Sequence, residues 1–427
     1  MQTSSKPVSR PWLHRLFGVG GLAAGLMTTL TACLPTLELP IPEPTGTFPV
    51  GITQQFLLES PGRGLTLDIW YPASETKDHP KVPYTEDALN DILSKVYGMP
   101  RFLYQEVPSY AHLDAPPVPG RHPVVLFNHG FASFTKQNFS TFQELASHGY
   151  VVISLGHPGE SLTARDAQGK LVSFDTERET YREIQKIQKA MGAYAAKLAP
   201  VLERQRRAQT PEAFAQASVE LGQDPQYAAL KPQLRRWVQD TRHVITAIQA
   251  PRREGILDLI DPDNLTVMGH SLGGAVAMHL ATQPPKGLRG IVNLDGPWFQ
   301  DDPTQLAPIA VPALNLVSTH ILMDKQDLAL KGTLLGLYRG GKAGAHVIEV
   351  KGAAHYNFTD LNFVPALKFT QMLGPVDARL MAATQTGAIM TFLRQTRREG
   401  RAAFEAPLLP AHADLIQHVF PGERKES

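Results

Sequence analysis

The chain has 427 residues, of which 43% are hydrophobic and 19% are charged, so it is long enough to bury one large core or two smaller ones. Its 41 basic and 40 acidic residues nearly cancel, which excludes the strongly basic balance typical of nucleic-acid-binding proteins. A single cysteine excludes an intramolecular disulfide.

The first 32 residues have the pattern of a secretory signal. Three basic residues precede the apolar stretch 16–30. Small residues then lead to Cys33, which is the single cysteine in the sequence. The pattern resembles a bacterial lipoprotein signal, which implies a signal peptide over 1–32 and lipidation of Cys33. An ordinary signal peptide followed by a chance cysteine is the alternative. Because Leu34 and not aspartate comes next, the resemblance implies an exported lipoprotein of the outer membrane or cell envelope.

The next segments lead into a domain that we expect over 51–427. Residues 33–50 are rich in proline, which predicts an extended tether. Residues 65–71 alternate between apolar and polar side chains, which predicts an edge strand with one wet face. Residues 73–120 contain many prolines and predict irregular structure.

Two continuous apolar runs, 123–128 and 150–155, predict strands that are buried on both faces of a parallel sheet. Between them, Phe139, Phe142 and Leu145 have helical spacing, and Gly149 can end that helix. Apolar runs of similar character further along the chain predict four more strands, over 265–268, 290–294, 313–317 and 346–350. Strands that alternate with helices predict a doubly wound, mostly parallel α/β sheet with its active site at the carboxyl ends of the strands.

A charged segment with a helical pattern interrupts this alternation. Residues 178–231 predict a helical insertion, and residues 234–248 then form an apolar helical stripe. The insertion is either a packed structural excursion or a functional element, namely a lid over the site or a membrane-contact surface, and the sequence leaves these alternatives open.

The most informative motif is Gly269-His270-Ser271-Leu272-Gly273. It follows an apolar strand and precedes a helical run of small residues, which predicts the strand–turn–helix of a nucleophile elbow. Such a turn lifts a serine hydroxyl clear of the backbone and directs the first N–H groups of a helix at developing negative charge. Ser271 is therefore the predicted nucleophile.

An activated serine needs an imidazole, which in turn needs a carboxylate. His355 is the predicted base, because it follows a strand at the expected active edge of the sheet. Asp295 is the predicted acid, because it ends a predicted buried strand and therefore projects at the same edge of the sheet. Asp324 is its rival, since some proteins of this fold carry the acid one strand later.

Two backbone N–H groups are needed to bind an oxyanion. Leu272 supplies one, and Phe131 supplies the other from the loop after strand 123–128. His129 is expected to shape this loop and not to act as a base. Trp298 and Phe299, just past the acid, line the acyl pocket in one interpretation and belong to the core in the other.

Four blocks resemble the secreted, lipoprotein-associated platelet-activating factor acetylhydrolases and their bacterial relatives. They are His129-Gly130 with residues 145–150, the elbow 269–274, Leu294-Asp295 with Trp298, and the motif over 355–360. The likeness extends over about 46–395, except across the insertion. It implies an α/β-hydrolase fold, the same nucleophile, acid and base, and calcium-independent hydrolysis of short or oxidised acyl chains of phospholipids.

We therefore expect a serine carboxylic-ester hydrolase that forms an acyl-enzyme and needs neither a metal nor an organic cofactor. Its expected partners are an ester or phospholipid substrate and, through the N-terminal lipid, a membrane. One alternative is a general carboxylesterase, similar to cutinase or dienelactone hydrolase, that acts on soluble or polymeric esters. Another is a non-catalytic lipoprotein that binds a lipid or a partner.

Overall fold

The computed structural model describes residues 41–60, 63–97, 109–166, 170–175, 225–298, 309–319, 343–364, 372–399 and 406–421, with isolated residues between 168 and 223 and at 367. The predicted signal peptide with Cys33, most of the predicted insertion, Phe299 and Asp324 lie outside the described residues.

The described strands form one large sheet and one small hairpin. In chain order they are β1 (Val50–Ser60), β2 (Arg63–Pro72), β3 (Ala111–Leu113), β4 (His122–Asn128), β5 (Val151–Gly156), β6 (Thr163–Arg165), β7 (Leu171–Ser173), β8 (Ile260–His270), β9 (Leu288–Leu294), β10 (Ala313–Ser318), β11 (Ala345–Val350) and β12 (Leu415–Phe420). Ten of them form the large sheet in the order β12-β11-β10-β9-β8-β4-β5-β2-β1-β3, and β6 pairs with β7.

The centre of the sheet is parallel. Strands β5, β4, β8, β9, β10 and β11 run in the same direction, and antiparallel pairs flank them on both sides. The central strands are almost entirely buried, as their continuous apolar runs predict. Their carboxyl ends lie along one edge of the sheet, where the loops that follow β4, β8, β9 and β11 are brought together.

Helices cover both faces of the sheet. They are α1 (Asp87–Tyr97), α2 (Phe139–Ser147), α3 (Pro225–Ile248), α4 (Leu272–Thr282) and α5 (Ala378–Glu399). Residues of α1, α2 and α5 belong to one buried apolar cluster, and residues of α3 and α4 belong to the other. The predicted doubly wound α/β architecture is therefore confirmed, as is the helix that ends before Gly149, whose φ is +90°.

The structure corrects two predictions for the first third of the chain. Strand β2 is not an edge strand, because it pairs with β1 on one side and β5 on the other. Its polar positions are buried as well, and Asp68 accepts hydrogen bonds from Gln54 (2.7 Å) and Thr135 in place of water. The segment 73–120 is not wholly irregular, since it contains α1, whose buried Leu89 and Leu93 pack on the sheet.

Helix α3 and the N-terminal arm refine the predicted boundaries. Helix α3 continues through residue 231, the predicted end of the insertion, and contains Pro232. The described end of the tether is bound to α2: the N–H of Thr45 donates to Glu144 (2.7 Å), and that of Gly46 donates to the Ser147 hydroxyl (3.0 Å). Within the described ranges, no helix is long and apolar enough to cross a bilayer.

Candidate active site

The serine of the elbow has an unusual backbone conformation. Strand β8 ends at His270, α4 begins at Leu272, and Ser271 lies between them with φ +54° and ψ −121°. A non-glycine residue in this region costs about 1–3 kcal/mol, which the surrounding structure must supply. The Ser271 N–H donates to the carbonyl of Leu294 at the end of β9 (3.0 Å), so the turn is held by the neighbouring strand.

The glycines of the elbow are required by close packing. A Cβ at Gly269 would overlap the backbone of Gly273, and a Cβ at Gly273 would overlap the carbonyl oxygen of Asn128. A Cβ at Gly274 would overlap the side chain of Asn293. Strand β8, the start of α4 and the end of β4 therefore approach one another more closely than any side chain permits.

His355 and Asp295 form a close pair at the same edge of the sheet. The Nδ1 of His355 lies 2.7 Å from an Asp295 carboxylate oxygen, and the other carboxylate oxygen accepts the Ser318 N–H at 2.8 Å. The histidine side chain is 36% exposed, whereas the aspartate side chain is 1% exposed. Asp295 follows β9 with φ +52°, and His355 opens a short 3-10 turn (His355–Phe358) after β11.

Electrostatics keep this carboxylate charged. Burial alone would raise the pKa of Asp295, but hydrogen bonding and charge from His355, with the Ser318 N–H, lower the pKa below its usual 3.8. A charged carboxylate can only accept, so the Nδ1 of His355 carries the proton and donates it to Asp295. In the neutral ring, Nε2 then holds a lone pair that can take a proton.

Ser271 and His355 line one pocket, which has about 440 Å³ of empty space including its open mouth. Aromatic and aliphatic side chains form much of its wall. They are Tyr84, Leu93, Phe131, Phe134, Tyr356 and Leu361. Ser271 and His355 therefore adjoin a space with both apolar and polar walls, as is typical of small-molecule sites.

The loop after β4 lies against the elbow. A Cβ built on Gly130 would be 3.3 Å from the Cβ of Ser271, and Phe131 lines the pocket beside it. The Gly130 N–H donates to the side-chain oxygen of Gln137 (2.9 Å). Leu272 is the first residue of α4, whose leading N–H groups have no acceptor within the helix.

Three other sequence predictions have different outcomes. His129 is fully buried and is not among the residues that line this pocket, in keeping with a role in shaping the loop. Trp298 is also buried and packs in the apolar cluster that contains α4, so the structure favours the core interpretation over the pocket interpretation. Phe299, the other proposed pocket residue, lies outside the described residues.

Two supporting residues escaped the sequence analysis. His270 is buried, and its Nε2–H donates to the backbone carbonyl of His355 (3.0 Å). Asn357 accepts hydrogen bonds from the N–H groups of Ala354 and Gly374, each at 2.8 Å, and so fixes the turn that carries His355. His270 lies in the elbow motif and Asn357 lies in the motif over 355–360. A sequence motif, however, does not show which backbone atoms these side chains bind.

In the part of the chain that the structure describes, no group of three or more His, Cys, Asp or Glu side chains is arranged to hold a metal ion. The site is instead assembled from a serine on an elbow, an aspartate after a later strand, and a histidine after the last parallel strand. Together with the mostly parallel sheet, this order defines the α/β-hydrolase class.

Comparisons with known proteins narrow this class. The sequence pattern of the family "Platelet-activating factor acetylhydrolase, isoform II" matches residues 36–224 and 244–403. The platelet-activating factor acetylhydrolase of Gallus gallus is 24% identical over 371 residues, which cover 83% of each chain. The enzyme of the same name from Canis lupus familiaris is 23% identical over 391 residues, covering 87% of this chain and 80% of its own.

A solved structure also matches. A ferulic acid esterase from Streptomyces cinnamoneus superposes with a TM-score of 0.62 at 19% identity, covering 88% of this chain and 98% of its own. At that identity the likeness shows the fold alone.

The chain belongs to the platelet-activating factor acetylhydrolase, isoform II, family and is a carboxylic ester hydrolase. The matched residues include 178–224, so the expectation that the likeness breaks across the insertion is wrong for most of that segment. The unmatched residues 225–243 fall instead within α3.

Proposed function

We propose that the chain cleaves esters through an acyl-enzyme on Ser271. The Nε2 of His355 takes the Ser271 proton as the serine oxygen attacks the ester carbonyl carbon. The bond to the alcohol then breaks, and His355 returns the proton to the departing alcohol. Water, activated in the same way, releases the acid. The 2.7 Å contact of His355 Nδ1 with Asp295 carries this proposal, because it leaves Nε2 as the basic nitrogen.

The other roles follow from where charge develops. Asp295 orients the imidazole and stabilises its cationic form. The N–H groups of Leu272 and Phe131 bind the oxyanion that forms on the carbonyl oxygen, which is the largest single contribution in most enzymes of this chemistry. The position of Leu272 at the start of α4 supports this assignment, because the helix dipole also favours negative charge there.

We propose short or oxidised acyl esters of phospholipids as the substrate class. Membership of the acetylhydrolase family supports this, and so does the apolar wall of the pocket, which suits an acyl chain. With about 440 Å³ of empty space including its mouth, the pocket lies within the usual range of small-ligand sites.

The test is a matched series of phosphatidylcholines with sn-2 chains from acetyl to palmitoyl, run beside soluble acyl esters. We expect kcat/KM to fall as the chain lengthens, activity to persist in EDTA, and Ser271→Ala to be inactive. Hydrolysis of soluble esters alone would contradict the phospholipid assignment and support a general carboxylesterase.

We also propose that Cys33 is acylated and that the mature protein is held at the bacterial outer membrane or cell envelope. The basic flank, the apolar stretch 16–30 and the position of Cys33 support this proposal. The test is metabolic labelling with palmitate, with membrane fractionation of the wild type and of Cys33→Ser. We expect label and membrane association in the wild type, and neither in the variant. An unlabelled wild-type protein would contradict the proposal.

A further inference from the structure

A buried polar cluster lies directly behind the loop that carries Phe131. Its members come from the end of β4, the loop after β5 and helix α3, and each is at most 1% exposed. They are His129, His157, Glu160, Ser161, Trp237 and Asp240. The mechanism proposed above uses none of them, although buried polar groups are costly unless they are hydrogen-bonded.

The hydrogen bonds around His129 fix which of its nitrogens carries the proton. Its Nδ1 lies 2.7 Å from the carbonyl oxygen of Gly130, and a carbonyl oxygen can only accept, so Nδ1 carries the hydrogen. Burial and the neighbouring His157 lower the pKa of His129 to about 3, against the opposing effect of the Gly130 carbonyl, so the ring is neutral near pH 7. Its Nε2 is therefore an acceptor.

Ser161 completes this arrangement. Its hydroxyl oxygen lies 2.6 Å from Nε2 of His129 and accepts the backbone N–H of His157 at 2.8 Å. Because Nε2 of His129 must accept, the Ser161 O–H donates to it. Each group in this series donates to the next: the His157 N–H to the Ser161 hydroxyl, that hydroxyl to Nε2 of His129, and Nδ1–H of His129 to the Gly130 carbonyl.

The same carbonyl belongs to the peptide that links Gly130 to Phe131. It also accepts the Ser133 N–H (3.2 Å), so two donors hold its oxygen. The described chain contains no cis peptide bond, and in a trans peptide the N–H points away from the C=O. His129 binds the oxygen from behind the loop, whereas Gly130, Phe131 and Ser271 line the pocket in front of it.

Helix α3 holds the rear of the cluster. The ring of His157 stacks on Trp237 with centroids 4.0 Å apart, and its Nδ1 lies 2.7 Å from Asp240. The indole N–H of Trp237 donates to Glu160 (2.6 Å), which also binds Arg236. The segment that leads into Ser161 is thus tied to α3 at two points, His157 and Glu160, both of which precede that serine.

We propose that His129 and Ser161 are positioning residues that hold the Gly130–Phe131 peptide with its N–H directed at the oxyanion. This inference rests on the proposed role of the Phe131 N–H. If it holds, losing the donor to the Gly130 carbonyl weakens binding of the transition state but not of the ground-state ester. The loss should therefore appear in kcat and leave KM nearly unchanged.

The test compares two variants of nearly equal shape, His129→Leu and His129→Asn. Both lose the ring, but the Asn amide nitrogen can take the place of Nδ1 and donate to Gly130. We expect kcat to fall about 10- to 100-fold in His129→Leu, up to the usual effect of losing one oxyanion donor, and to recover largely in His129→Asn. Ser161→Ala, a milder change, should lower kcat in the same direction.

A second measurement separates positioning from general destabilisation. A trifluoromethyl ketone substrate analogue becomes tetrahedral and anionic on Ser271, so its inhibition constant should rise by the same factor as kcat/KM falls. Thr396→Val removes another buried hydroxyl, whose hydrogen bonds among the described residues are to carbonyls of α5, and should change neither quantity.

Equal kcat in the Leu and Asn variants, or unchanged inhibition in Ser161→Ala, would overturn the inference. Phosphonate labelling of wild-type Ser271 is scored separately. If Ser271 is not labelled, the proposed function is wrong. If Ser271 is labelled but the His129 and Ser161 variants leave kcat and inhibition unchanged, only the positioning role is wrong.

Discussion

At the scale of single residues, the contact between Asp295 and His355 decides what the imidazole can do. The buried carboxylate binds Nδ1 and accepts a backbone N–H from Ser318, so it is held on both oxygens. An amide of the same shape can present its nitrogen to His355, which would favour the wrong tautomer and remove the charge that stabilises the imidazolium.

We therefore predict that Asp295→Asn lowers kcat by about 10³- to 10⁴-fold, as in other Ser-His-Asp enzymes, with little change in KM. Steady-state kinetics on a short-chain ester measures this. Asp263→Asn, at an exposed position on the opposite end of β8, is the matched control and should retain full activity. Retention of a tenth or more of kcat by Asp295→Asn would mean that another group orients His355.

At the scale of elements, the elbow depends on the close approach of α4 to β4. A Cβ at Gly273 would overlap the Asn128 carbonyl, so we predict that Gly273→Ala destabilises the protein by about 1–3 kcal/mol, the usual cost of overpacking, and abolishes activity.

The control is Gly387→Ala within α5. There the new methyl group meets only the flexible end of Leu409 at 3.2 Å, and alanine favours a helix over glycine by about 1 kcal/mol. Thermal unfolding should therefore separate the two variants in opposite directions. A Gly273→Ala variant as stable as the wild type would contradict the packing argument.

The N-terminus of α2 is linked to the turn of His355. The side chain of Asn138 donates to the Phe358 carbonyl (2.6 Å), and Asp360 accepts from Ser140. Burial raises the pKa of Asp360 to about 7, even though hydrogen bonds from Ser140 and Phe139 oppose the shift. The charged form is thus disfavoured in the folded state relative to the unfolded chain, where the pKa is near 3.8.

The sign of the pH effect follows from this difference. The stability that the raised pKa confers is complete below about pH 4 and is lost as the pH rises through about 7. The side chain in Asp360→Asn cannot ionise. We therefore predict that the melting temperature of the variant, relative to that of the wild type, rises between pH 5 and 8. Thermal unfolding across that range measures the difference. A difference that stays constant, or that shrinks with pH, would contradict the assignment.

At the scale of the whole molecule, the sheet brings together residues that are distant in the sequence, and β12 covers its far edge. Strand β12 pairs antiparallel with β11, and His418 binds the buried Glu349 at 2.6 Å. Removing residues 411–427 would expose the full edge of β11, which invites pairing with other chains. We predict that the truncated protein forms larger species than the full chain in light scattering. Unchanged mass together with unchanged activity would contradict this.

The patterns that the sequence predicts well are those set by local chemistry. Continuous apolar runs identified the central strands, and the spacing of glycine around Ser271 identified the elbow, because both follow from burial and sterics along a few residues. The partners of polar residues could not be predicted in the same way. The polar Asp68 predicted a solvent-exposed face of β2, yet its carboxylate is buried and accepts hydrogen bonds from Gln54 on the paired strand β1 and from the distant Thr135. His270 and Asn357 bind backbone atoms whose position depends on the completed fold.

The central claim is that Ser271 is the nucleophile and that His355 and Asp295 activate it. The most direct measurement is labelling with an active-site phosphonate, followed by peptide mapping by mass spectrometry. We predict a single adduct on Ser271 in the wild type, none in Ser271→Ala, and much slower labelling in His355→Ala. An adduct on another residue, or equal labelling of the wild type and Ser271→Ala, would contradict the account.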